Sequence, residues 1–156
     1  MIKELEQELL DLVRSVPAFS ANGFSGFDTA DIEKQAGATV NYPVAGVIYN
    51  GAAPVEGNRG VPVAKGATDI VFVDGTFIIV IGVEYGGVGA GDTKHSVFDL
   101  LDQVRSVVSG HKGINPRPWR WNGERPEAEA SGDGVVFYSQ VWQTVFVSQG
   151  TFNNPQ

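Results

Sequence analysis

The stretch Ile70-Val71-Phe72-Val73-Asp74-Gly75-Thr76-Phe77-Ile78-Ile79-Val80-Ile81-Gly82-Val83-Glu84-Tyr85 decides how this chain is organised. Two apolar runs, Ile70 to Val73 and Thr76 to Tyr85, flank Asp74-Gly75. Asp-Gly readily supplies the positive φ angles of a two-residue turn, so the stretch reads as a β-hairpin. The second arm is apolar at successive positions, which predicts a strand covered on both faces. The run Phe77 to Val83 is interrupted by Gly82 and falls far short of the roughly 20 residues of a membrane helix.

Upstream, Ile2, Leu5, Leu9, Leu12 and Val16 recur at three- and four-residue steps, predicting an amphipathic helix over Ile2 to Ser15. Glu4, Glu6 and Glu8 fall in its first turns, where the helix dipole favours them, and Pro17 stops it. A Gly, Ser and Phe-rich loop (Phe19 to Phe27) leads to Asp28-Thr29-Ala30-Asp31, which reads as the cap of a short helix reaching Ala36. Pro43 to Tyr49 is a strand and Asn50-Gly51 a turn. The segment that follows concentrates Pro54, Gly57, Gly60, Pro62 and Gly66.

Downstream, Asp92 or Thr93 can cap a helix over about 94–109 with the stripe Val97, Leu100, Leu101, Val104 and Val108, ended by Gly110. Trp119 to Gly123 reads as a short strand and Val135 to Val147 as a long final one. In the latter, Tyr138, Trp142 and Phe146 share one parity while Phe137, Val141 and Val145 share the other. Residues 1–148 are therefore expected to form one α+β domain: a single, mostly antiparallel β-sheet packed against two main helices. Residues 149–156 read as a flexible tail.

The chain has 156 residues, 42% hydrophobic and 19% charged, which is globular composition. It carries a net charge of −7 and no cysteine. An acidic surface repels nucleic acid and anionic membranes, and the lack of thiols excludes disulfides and thiolate metal sites. The N-terminus alternates charge with leucine and is no signal peptide, so synthesis in the cytoplasm is expected.

Catalytic patterns do not assemble. Gly86 to Lys94 lies between a strand and a helix, where phosphate loops occur. Yet Gly91 is followed by Asp92 where a phosphate loop needs Lys, and the dinucleotide spacing also fails. A plain connection is the expectation, with a phosphate- or nucleotide-binding enzyme as the alternative. His95 and His111 lie at either end of the second helix with Asp92, Asp99 and Asp102 nearby, but without a metal-ligand spacing. The reading is a non-enzyme with neither cofactor nor metal.

One patch departs from the acidic background. Between His111 and Arg125, Lys112, Arg117, Arg120 and Arg125 outnumber the one acid, Glu124, for a net +3. Trp119 and Trp121 share one face of the short strand and Arg120 takes the other. Trp and Arg are the residues enriched at interface hot spots, so Arg117, Trp119, Arg120, Trp121 and Arg125 are read as an intersubunit or partner contact. The alternatives are a nucleic-acid groove, or tryptophans in the core beside solvated arginines.

Three stretches together resemble the tail terminator family of contractile-tailed, Mu-like phages. They are Pro43-Val44-Ala45-Gly46-Val47-Ile48-Tyr49-Asn50-Gly51-Ala52, then Val97-Phe98-Asp99-Leu100-Leu101-Asp102-Gln103-Val104-Arg105, and Val136-Phe137-Tyr138 heading the final strand. With the N-terminal helix, the order of elements matches that family over nearly the whole chain. The resemblance implies a structural virion protein at the neck end of the tail. It would form a homo-hexameric ring that caps the tail tube, halts its polymerisation and joins the tail to the head–tail connector. The implied partners are further copies of itself, the tube or sheath protein and the connector, with DNA only passing through the channel. Another ring component, a head–tail stopper or a tube protein, is the alternative.

Overall fold

The computed structural model describes residues 1–26, 41–55, 69–84, 97–127 and 134–150. The described residues are α+β, with one five-stranded mixed sheet and two helices. Helix α1 spans Ile2–Arg14, followed by a 3-10 turn at Pro17–Phe19 and strand β1, Gly23–Ser25. Strands β2 (Val44–Pro54) and β3 (Asp69–Glu84), helix α2 (Val97–Val108), and strands β4 (Arg120–Pro126) and β5 (Val135–Gly150) complete the order. The strands lie side by side as β1-β2-β3-β5-β4. Among the described strands, β1 and β2 pair in parallel and the other pairings are antiparallel.

Asp74-Gly75 makes no turn. Residues 69–84 form a single strand that passes straight through it, each residue paired with β5 from Asp69↔Gly150 to Glu84↔Val135. Gly75 has no positive φ; it is used for its missing side chain. A Cβ there would lie 2.6 Å from Cε1 of Phe146, so glycine lets that ring lie across the strand. The hairpin partner of β3 is instead β2, from Val44↔Gly82 to Pro54↔Val73. Asn50-Gly51 likewise sits within β2, at a bulge between Tyr49 and Ala52 where Gly51 takes φ 93. Strand β1 falls inside the stretch read as loop. The short helix expected near Ala36, and the glycine loop Gly86 to Lys94, lie outside the described residues.

The period-two pattern sorts the sheet into two faces. Phe77, Ile79, Ile81 and Val83 of β3, Ala45 and Val47 of β2, and Trp142 and Phe146 of β5 form the core with both helices. Leu5, Leu9, Leu10, Val13 and Val16 are the buried hydrophobic residues at the N-terminal helix. The seam is thus rotated from the expected stripe, with Ile2 39% exposed and Leu12 only partly buried. Helix α2 buries Leu100, Leu101, Val104 and Val108 as the sequence predicts. Gln149 and Gly150 pair with Ile70 and Asp69, so β5 extends into the expected tail; residues 151–156 lie outside the described part.

Candidate functional site

The basic, aromatic patch divides into two parts on folding. Trp119 is 2% exposed and belongs to the core. Its ring meets Phe77 edge-on at 5.1 Å, and its Nε1 donates to Oε1 of Glu8 at 3.1 Å. Trp119 lies just before β4, and its backbone pairs with His111 and Gly110 across the connection from α2. It is therefore removed from the interface set: a large ring facing the helices gains more from burial than from display.

Trp121 pairs with Trp142 and is 46% exposed at the margin of the sheet. The Arg105 guanidinium stands over its ring at 5.5 Å. Arg105 also bonds Asp102 and Glu124, and the Glu124 hydrogen bond is the main cause that raises its pKa. Behind Glu124 a buried polar chain begins. Gln140, fully buried, donates from Nε2 to Glu124 Oε1 at 3.2 Å and to Leu101 O at 3.0 Å, and accepts from Trp142 Nε1 at 3.2 Å. A line of polar contacts thus runs from the core to an exposed tryptophan and holds its surroundings in place.

The arginines are less available than their count suggests. Arg120 donates from Nη2 to both carboxylate oxygens of Asp74, each at 2.8 Å, across the face away from the helices. Arg125 donates to Glu127 at 3.1 Å. Glu127 is held below its ordinary value of 4.5, chiefly because Ser139 Oγ donates to it, with Arg125 adding to the effect. Of the patch's four cations, Lys112 and Arg117 have no acid partner among the described residues. Asp74, read as a turn residue, instead neutralises an arginine 46 positions away.

A second site was not legible in the sequence. Glu8 is 9% exposed, and its carboxylate ties α1 to the connection between α2 and β4. Besides Trp119, it accepts from the Ile114 backbone N–H at 2.8 Å, and His111 Nε2 stands 3.8 Å away. Gly113 packs so closely that a Cβ there would lie 2.5 Å from the carboxyl carbon. An open groove of about 710 Å³ runs beside this anchor, lined by Glu4, Gln7, Asp11 and Ile114 among others. Glu6 acts similarly, accepting from Ser25 Oγ at 2.7 Å and from the Tyr49 N–H at 3.3 Å. Both were read as dipole partners of the helix; both are tertiary acceptors.

Among the described residues no group of three side chains could hold a metal ion. His111 stands beside Glu8, and not beside the aspartates of α2; Asp92 and His95 lie outside the described residues. None of the described helices is long and apolar enough to cross a membrane. No protein-family model matches the sequence, and no curated protein matches it.

Proposed function

We propose that this chain is a structural ring subunit of a phage tail, the terminator that caps the tube and joins it to the head-side connector. The observation that carries the reading furthest is the size of the sheet relative to its helices. Strands β3 and β5 are each 16 residues long and paired throughout, a ladder of about 50 Å. Helices α1 and α2, of 13 and 12 residues, are each about 20 Å long. Even laid end to end along the strands, two such helices reach about 40 Å, short of the ladder's full length. At one end Ala52 to Pro54 are exposed, while the neighbouring Val73 and Phe146 still pack against the core.

A sheet longer than the helices packed on it suits assembly, because a neighbouring copy can pack against strand residues such as Ala52 to Pro54 that one chain leaves exposed. The element order and the three stretches that resemble tail terminators give the reading its specific form, and the net charge of −7 suits a channel through which DNA slides without sticking. The direct test is to assemble particles without this chain and measure their tails by electron microscopy. Tails of uncontrolled length, and a ring of this protein at the head-proximal end of normal tails, are the expected results. Tails of normal length in its absence would overturn the proposal.

A further inference from the structure

We infer that copies of this chain dock head to tail, with the Lys112-to-Arg117 connection of one copy seated against Phe98 and the acidic face of α2 on the next. The inference rests on the ring reading and names the two surfaces that would join neighbours.

The first surface is a pinned protrusion. Gly110, at φ 75, turns the chain out of α2, and residues 111–118 cross to β4. Ile114 at its crest is 59% exposed, although its own N–H is held by Glu8. The next residue, Asn115, is 5% exposed and donates from Nδ2 to Thr144 Oγ1 at 3.0 Å and to Val145 O at 2.6 Å. The crest is therefore an apolar side chain on a backbone fixed from two sides. Lys112 and Arg117 flank it, both exposed, with no acid partner among the described residues.

The second surface is complementary in kind and sign. Phe98, in the first turn of α2, is 64% exposed and rests edge-on against Tyr138 at 6.2 Å. Asp102 stands one turn further along with its side chain 67% exposed, and Asp99 is exposed beside it. Asp102 and Glu124, two carboxylates, share the one guanidinium of Arg105, so this part of the helix layer keeps a net negative charge. An apolar residue between two cations thus faces an aromatic residue among acids.

Placement makes the contact heterologous. Phe98 lies at the start of α2 and the protrusion beyond its end, about 15 Å along the axis at the helical rise per residue. The protrusion is tied to α1 and β5 and cannot fold back onto its own Phe98. Two different patches at opposite ends of one helix repeat head to tail, the arrangement from which closed rings are built. Because the crest is already fixed in the free chain, docking costs little ordering entropy.

The experiment is sedimentation of the full chain up to millimolar concentration at low salt. Asp102→Lys, and separately the pair Lys112→Glu with Arg117→Glu, should each weaken self-association by about tenfold or more, and the three changes together should restore it. Phe98→Ala should weaken it without altering the circular dichroism spectrum. Wild-type assemblies that are indifferent to both reversals would overturn these surfaces while leaving the ring reading intact. Failure of the combined variant to recover would overturn their pairing. A wild-type chain that stays monomeric throughout would overturn the second copy as occupant and count against the ring itself.

Discussion

Glu8→Ala is the substitution whose consequences the structure specifies most closely. It strands the Trp119 indole N–H, in a residue 2% exposed, and removes the acceptor of the Ile114 amide. A buried donor left without a partner costs about 1–3 kcal/mol. The Ile114 amide sits on an exposed connection and can turn to water, so its share is about 1 kcal/mol or less. Glu8→Ala should therefore lose about 1–4 kcal/mol, a large part of the roughly 5–15 kcal/mol of a typical domain. Gly113→Ala provides an internal check. Gly113 has no positive φ, so alanine is unstrained there, but its Cβ would meet the Glu8 carboxyl at 2.5–2.6 Å. With Glu8 in place the change should cost about 1–3 kcal/mol through displacement of that carboxylate. With alanine at position 8 the obstacle is gone, and Gly113→Ala should cost almost nothing. Urea unfolding followed by tryptophan fluorescence and circular dichroism, with equal m-values, would measure all four corners of this cycle. A Glu8→Ala loss below about 0.5 kcal/mol, or additive effects of the two changes, would refute the anchor.

The tryptophans should separate cleanly. Trp119→Ala should cost about 3–5 kcal/mol, as a core truncation, whereas Trp121→Ala should cost about 1 kcal/mol or less because it removes an exposed ring and one cation–π contact. Thermal or urea unfolding of the two variants decides the point, and equal losses would place both rings in the core. A third expectation concerns acid. The Glu127 carboxyl titrates below 4.5, so the stability it contributes is present above that pH and is lost as pH falls through the lowered value. With a side chain 30% exposed, that contribution is at most about 1 kcal/mol. Wild type should exceed Glu127→Gln in stability at pH 7, and the gap should narrow as pH falls below 4.5; a gap unchanged from pH 7 to pH 3 would sink this assignment.

The fold class and the two helices were legible from local pattern alone. Leu100, Leu101, Val104 and Val108 recur at helical spacing and are buried, and the parity of Tyr138, Trp142 and Phe146 correctly sorts the last strand. Such periodicities report which face of an element meets the core, and that is a property of neighbouring residues. Pairing is a different matter. Asp74-Gly75 carries a turn signal, yet the sixteen-residue ladder to β5 and the pairing with β2 hold it extended. The sum of many cross-strand bonds outweighs one dipeptide's preference. The candidate site follows the same division. Trp and Arg clustering drew attention to the margin where Trp121 stands exposed, but composition could not assign Arg120 to Asp74, Arg125 to Glu127, or Trp119 to the core. Nor could it distinguish Glu8, the buried anchor, from Glu4, which pairs with the chain's own N-terminus at 2.7 Å. Charge is written in the sequence residue by residue; whether a charge is spent inside the molecule or left for a partner depends on contacts that span more than a hundred positions, and only the folded chain brings those together.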